Sequence, residues 1–358
     1  MNILIVKLSA IGDVIHTLPA LNAIRKQYPD ANITWLVEEA ASDLVKDHIA
    51  LDRVIVSKRK RWIKDLRNFS FYKPIRKAYG FIKELRETHY DMIIDFQALL
   101  KSGILIALTK GSRKIGFDRG MEHMEHSYML LNERIPPVDM DTHALLRSMM
   151  LLEAIGIPAN DIEYHLPISD QDYTQVDDLL IQHDITDSKP LVAINPVAKW
   201  QTKLWDNRKF ATLADRLIEG LNAQVVFTGS HEDRPTILHI MASMKRSAAN
   251  LAGETSLRML AGLYAKSNVV ISTDTGPMHM AAAVETPVVA IIGPTAPWRT
   301  GPFGSGHQIV RTELECSPCF KRKCKTIDCM ERIRVQQVLD GVERVLGLPI
   351  TEKPSPMP

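Results

Sequence analysis

Two aspartates stand where chemistry is easiest to place, each just past a short apolar run. Asp13 follows Asn2-Ile-Leu-Ile-Val-Lys7 through the turn Leu8-Ser-Ala-Ile-Gly12. Asp274 follows Val269-Val-Ile271 within Ser272-Thr-Asp-Thr-Gly-Pro-Met-His279. A carboxylate at the end of a strand can serve as a general base. It can also cap the next helix, for which Asp is a preferred residue, and at Asp13 the two roles are compatible. At the second turn, Gly276 and Pro277 open an alanine-rich helix. The free N–H groups at such a helix start bind anions, and Asp274 and His279 flank the turn, able to bond hydroxyls.

Four further stretches carry candidate chemistry. Asn195-Pro-Val-Ala-Lys-Trp-Gln-Thr-Lys-Leu-Trp205 places Lys199 and Lys203 among tryptophans in one loop; lysines there suit phosphate as compact point charges, and a solvated loop is the plainer alternative. In Thr228-Gly-Ser-His-Glu232-Asp-Arg234, Glu232 can accept ribose hydroxyls or complement a helix dipole. Lys58 to Lys77 holds nine basic residues and one acid, interleaved with aromatics. That imbalance exceeds an ordinary solvated face and points to a polyanion or an anionic membrane surface. Cys316-x2-Cys319-x4-Cys324-x4-Cys329 fits a structural zinc or iron–sulfur site, or reduced thiols lining a packed loop.

Short apolar runs with helical patterns between them must position these residues. Strands are expected at 2–7, 32–37, 53–56, 92–96, 114–117, 191–195, 224–228, 269–271 and 287–292. Helices are expected at 14–27, 39–46, 74–86, 99–109, 143–155, 171–182, 207–221, 234–243, 256–265 and 332–346. Alternation with short turns predicts α/β architecture, with doubly wound parallel sheets. The pattern weakens between Pro158 and Lys189, which divides the chain into two similar halves: domains at 1–175 and 185–330, a helix at 331–350, and a disordered tail at 351–358.

At 358 residues, each half can bury its own core. Composition is ordinary for a globular chain: 45% hydrophobic, 24% charged, net charge +2. No apolar run approaches the roughly 18–20 residues that cross a bilayer, and the N-terminus lacks a signal-peptide layout, so the expected location is cytoplasmic. Neither a Walker loop nor G-x-G-x-x-G occurs, which argues against an ATPase or a nicotinamide enzyme. Near-neutral charge and the lack of a recognisable module argue against nucleic acid.

Taken together, the chain resembles the ADP-heptose:lipopolysaccharide heptosyltransferases, glycosyltransferase family nine. The resemblance is carried by Ile5 to Leu21, by Ile94-Asp-Phe-Gln-Ala-Leu-Leu-Lys-Ser102, by Pro196-x-Ala-x-Trp-x-Thr-Lys-x-Trp205 and by Ser272 to His279. It implies a GT-B fold, two Rossmann-like domains facing a cleft, with the 331–350 helix packing back on the N-terminal domain. It implies metal-independent, inverting transfer of L-glycero-D-manno-heptose from ADP-heptose to the Kdo–lipid A inner core, without a cofactor, at the cytoplasmic face of the inner membrane. Asp13 then matches the general base. Lys203, Glu232 and Asp274 match residues at the donor phosphate and heptose, the ribose and the donor sugar; Thr275, Gly276 and His279 share the Asp274 turn, and Thr255 falls near the adenine. Lys199 and Thr202, with backbone amides, must serve where some type I enzymes carry paired threonines. Lys60, Arg61 and Lys64 match basic acceptor-binding residues, with Lys101 and Arg119 as further carry-overs. The cysteines resemble the type II enzymes, whereas Arg61-Trp62 and Lys101-Ser102 look like type I. First-heptose transfer is favoured; second-heptose transfer, or another GT-B enzyme with a different donor such as a UDP-sugar, is the alternative.

Overall fold

The computed structural model describes residues 1–67, 72–121 and 125–348, and side chains for all of these except 66, 67 and 72–74. The expected tail at 351–358, and the side chains of Arg67 and Lys73 in the basic stretch, lie outside this set. The chain divides into two compact units, Met1–Pro167 and Ile168–Pro358, with the division inside the weakly patterned 158–189 segment.

The first unit is a six-stranded parallel sheet. Its strands are β1 (Asn2–Val6), β2 (Asn32–Glu38), β3 (Arg53–Ser57), β4 (His89–Asp95), β5 (Lys110–Phe117) and β6 (Glu133–Ile135), in the order β3-β2-β1-β4-β5-β6. Parallel strands covered on both faces must be apolar throughout, which is why β1 reads as one continuous run; Ile3 to Val6 are fully buried. The second unit repeats the plan with β7 (Leu191–Asn195), β8 (Gln224–Phe227), β9 (Ala249–Asn250), β10 (Val269–Thr273), β11 (Val288–Ile291) and β12 (Gln308–Val310), ordered β12-β11-β10-β7-β8-β9. Read from β9, this is the same order as in the first sheet. In each, the chain starts centrally, steps outward, then returns to the centre and builds the other way. The reversal falls between β1 and β4 and between β7 and β10, where open α/β sheets bind ligands beyond the strands' carboxyl ends.

Some elements differ from their expected form. The helix expected over 14–27 is two, Ile11–Ile15 and Leu18–Gln27; Pro19 lacks the N–H a continuous helix requires and sits instead in the first turn of the second. The 39–46 pattern is a 3-10 helix at Glu39–Leu44. The basic stretch contains a helix at Arg59–Arg67, followed by one at Tyr72–Leu85. The last helix, Val335–Leu346, lies on the second unit's own sheet: Val338, Leu339 and Val342 join Val289, Ile291 and Val310 in one buried cluster. Gly341 approaches so closely that an added Cβ would stand 3.1 Å from Val289 Cγ1. Its apolar face therefore packs on this sheet.

Candidate active site

In the first unit, the β1 turn presents Asp13 in the first turn of helix Ile11–Ile15. Asp13 is not the N-cap, which is Ala10, but stands at the third helical position, where its Oδ2 accepts the Ala10 backbone N–H at 2.7 Å, while Oδ1 has no hydrogen bond among the described residues. Beside it lies a cavity of about 210 Å³, lined by Lys7, Asp13, Gln97, Phe117, Met140 and Arg147 among others. A larger cavity of about 540 Å³, at Asn22, Lys26, Asp161 and His165, lies by the C-terminal end of helix Leu18–Gln27, away from the strands' carboxyl ends. Its position makes it no candidate for this chemistry.

Two charges underlie Asp13. Lys7 Nζ donates to the Phe96 carbonyl at 2.8 Å. Desolvation pulls this ammonium below the usual lysine range, against the opposing pull of Asp13 and Asp95. Buried Asp95 accepts from Gln97 N at 3.0 Å, Ala98 N at 3.1 Å and Ser102 Oγ at 3.1 Å. Burial nevertheless pushes its carboxyl up to about 6. Gln97 Oε1 accepts from Leu8 N at 2.9 Å and Ser9 N at 3.0 Å, tying the β4 loop to the β1 turn. Lys7, Gln97 and Arg147 escaped sequence reasoning as site residues, since nothing local links them to Asp13; only the neighbouring placement of β1 and β4 does.

The basic acceptor candidates separate into three groups. Glu38, only 3% exposed, meets Lys60 Nζ at 2.7 Å, Arg59 Nη2 at 3.3 Å and Lys101 Nζ at 3.5 Å. These bonds hold its carboxyl below the ordinary range although burial pushes it up. Lys101 also donates to Ser9 Oγ at 2.6 Å. Arg61 and Lys64 are exposed and have no carboxylate partner among the described residues. Arg61 lines a shallow cavity of about 330 Å³ with Lys58, Trp62, Lys77, Phe81 and Glu84. Arg119 is exposed, with its backbone N–H on Asp118 Oδ1 at 2.8 Å.

In the second unit, the β7 and β10 loops meet through charge. Lys203 Nζ lies 2.7 Å from Asp274 Oδ2 and 4.6 Å from the Trp200 ring centre. Asp274 Oδ2 also accepts from Thr295 Oγ1. Thr273 Oγ1 donates to the Val197 carbonyl at 2.7 Å, binding the two loops together. Thr275 N-caps helix Gly276–Ala283, and His279 is buried within it. Lys199 is exposed. Thr202, expected at the donor, is buried with its hydroxyl given to the Lys321 carbonyl at 2.9 Å, a bond that anchors the loop at 321. Trp205 is buried edge-on to Phe210, its indole N–H on the Ile333 carbonyl at 3.0 Å, so it belongs to the core.

Glu232 is exposed on a 3-10 turn after β8, and half-buried Thr255 lies beyond β9. Gly253 N donates to the Gly229 carbonyl at 3.0 Å and keeps the two loops together. Gly253 has φ +79°, and a Cβ there would meet His231 Cα at 2.8 Å, so close approach and backbone conformation both require glycine. Sequence reasoning missed Glu254, which pairs with Arg234 at 2.9 Å and His183 at 3.1 Å.

The four cysteines are free thiols in this structure. Among the described residues no group of three or more His, Cys, Asp or Glu is arranged to hold a metal ion. Cys316 and Cys324 are exposed and Cys329 is buried, all as thiols. Burial, then the other three thiols, pushes Cys329 up, while backbone hydrogen bonds from Ile327 and Thr326 pull Cys324 down. Sequence spacing alone cannot distinguish ligation from a thiol-lined loop.

Two Rossmann-like parallel sheets, one with the Lys203–Asp274 pair at its switch point and the other with Asp13, are the architecture of the GT-B class. The chain belongs to glycosyltransferase family 9, the heptosyltransferases, whose model matches residues 78–329. It is 30% identical to lipopolysaccharide heptosyltransferase 1 of Pseudomonas aeruginosa, over 98% of this chain and 99% of the relative. A solved family 9 glycosyl transferase of Veillonella parvula superposes with a TM-score of 0.78 at 22% identity, covering 96% of this chain and 97% of that one. The E. coli heptosyltransferase WaaC with ADP gives 0.77 at 24%, covering 96% and 100%. No helix among the described residues is long and apolar enough to cross a membrane.

Proposed function

We propose that this enzyme transfers L-glycero-D-manno-heptose, with inversion, from ADP-heptose to the Kdo region of Kdo–lipid A, adding the first heptose of the lipopolysaccharide core. The observation that carries the donor half is the Lys203–Asp274 pair beside Trp200 at the β7/β10 switch point. ADP in the E. coli enzyme and ADP-2-deoxy-2-fluoro heptose in a second solved complex, at 24% identity, support it. The name of the 30%-identical relative supports the first-heptose assignment.

In this reading Asp13 takes the proton from the acceptor hydroxyl as that oxygen attacks the anomeric carbon. The bond from that carbon to the β-phosphate oxygen breaks, and ADP departs carrying the electron pair. Lys203 and Lys199 stabilise the growing charge, which needs no metal. Asp274 holds Lys203 and orients the sugar, Thr275, Gly276 and His279 shape the same turn, Glu232 takes the ribose hydroxyls and Thr255 lies at the adenine. Arg61 and Lys64 meet acceptor carboxylates and phosphates. Lys60 and Lys101 act with Glu38 as a more rigid part of that surface, and Arg119 extends it. The same cations favour peripheral association with the anionic cytoplasmic face of the inner membrane.

The test is transfer from ADP-heptose to Kdo–lipid A with and without one heptose already attached. Product from the bare acceptor supports the assignment. Product only from the heptosylated acceptor makes this the second transferase, and turnover of UDP-sugars alone removes ADP-heptose as donor.

A further inference from the structure

The loop carrying the four thiols is also markedly basic, with Lys321-Arg-Lys323 and Lys325 between Cys319 and Cys329. Its placement is fixed by bonds to two other loops. Cys319 N and Phe320 N donate to the Pro294 carbonyl at 2.9 and 2.8 Å. Ser317 Oγ donates to the Gly293 carbonyl at 2.7 Å, and the Lys321 carbonyl accepts Thr202 Oγ1 at 2.9 Å. Pro294 adjoins Thr295, the hydroxyl donor to Asp274. The loop is thereby fastened to both sides of the anion site.

One result is that Arg322 Cζ lies 4.8 Å from the centre of the Trp200 ring, the same ring that Lys203 Nζ approaches at 4.6 Å. Lys203 has Asp274 as partner, whereas Arg322 is exposed and has no carboxylate partner among the described residues. Two cations on one aromatic ring repel unless an anion is shared. The planar guanidinium is suited to bidentate contact with phosphate oxygens, and stacking on tryptophan restricts it beforehand.

We infer that Arg322 is a further cationic ligand of the donor's diphosphate, and that Trp200 is the platform aligning it beside Lys203. This rests on the nucleoside-diphosphate-sugar reading of the site and extends it to a loop that no catalytic motif contains.

The test is calorimetric titration of the full-length protein with ADP, UDP, inorganic pyrophosphate and adenosine. Arg322→Ala should weaken ADP and pyrophosphate by about tenfold, the scale of one charge-assisted hydrogen bond, and leave adenosine unchanged. Trp200→Leu should weaken the same two ligands, and Arg322→Lys should fall between Arg322→Ala and wild type. Arg332→Ala, removing an exposed arginine paired with Asp328 at 3.1 Å, should leave all four ligands unaffected. Unchanged ADP and pyrophosphate affinities in Arg322→Ala, or an equal loss for adenosine, would overturn the inference. If wild type binds UDP instead of ADP and Arg322→Ala weakens UDP, the donor assignment fails while the role of Arg322 stands.

Discussion

The two units share one strand order and one switch-point geometry, yet they arrange charge at that point in opposite ways. In the first, the lysine bonds no carboxylate among the described residues: Lys7 is held by a backbone carbonyl next to buried Asp95, and the Asp13 carboxylate bonds, among the described residues, only to its own turn. In the second, Lys203 is paired directly with the buried Asp274 carboxylate, which Thr295 also bonds. A carboxylate with a free oxygen suits proton removal; a cation fixed by a carboxylate suits a departing phosphate. The duplicated scaffold determines where a site forms, and the loop residues determine which half-reaction it serves.

This contrast can be broken by single substitutions. Asp13→Asn should give the largest effect, lowering kcat by about 10³ as expected for loss of a general base, while thermal stability changes little because the Asn Oδ1 can still accept the Ala10 N–H. A residual kcat within about tenfold of wild type would remove the base from the first unit. Next, Lys203→Met should reduce kcat/KM for the donor by about 10² and leave Asp274 buried without its cation. Steady-state kinetics with the donor varied checks this, and a selective rise in acceptor KM would reverse the assignment.

Smaller effects are expected on the acceptor side. Arg61→Ala and Lys64→Ala should each raise acceptor KM by about three- to tenfold, more strongly at low salt because exposed charges are screened. Lys60→Ala should cost less binding, since its ammonium is already occupied by Glu38. A dominant effect of Lys60 would show that the Glu38 cluster opens to substrate. The smallest effect on turnover belongs to His48, which is 2% exposed and held to about 4 by burial and then by His165. An unfolded His48 titrates near 6.5. The unfolded state therefore takes up the proton first, and stability falls as pH drops from 6.5 toward 4, by up to on the order of 3 kcal/mol. His48→Asn, which can keep an acceptor for the Ala50 N–H, should flatten that fall in denaturant titrations at pH 7 and pH 5.

Much of this architecture is legible in the sequence because buried parallel strands must be apolar without interruption and their turns then carry the polar residues. That rule exposes Asp13, Lys203 and Asp274. It fails at β6, β9 and β12, which have three, two and three residues and offer no periodicity to read. It also fails for the final helix, whose apolar stripe is evident from 335 to 346 while its partner sheet is not. Contacts across long separations are harder still. Glu38 gathers Lys60 and Lys101, Glu254 gathers His183 from 71 residues away, and Trp200 gathers Lys203 and Arg322. Each joins stretches whose local patterns carry no reference to one another. Thr202 is a similar case: its motif gives no sign that its buried hydroxyl bonds the Lys321 carbonyl 119 residues away.

The central claim is that donor binding belongs to the second unit and proton removal to the first. It is tested most directly by titrating ADP calorimetrically into wild type, Asp13→Asn and Lys203→Met. Asp13→Asn should bind ADP within about twofold of wild type, and Lys203→Met should bind at least about tenfold more weakly. Loss of ADP affinity in Asp13→Asn together with its retention in Lys203→Met would contradict the division.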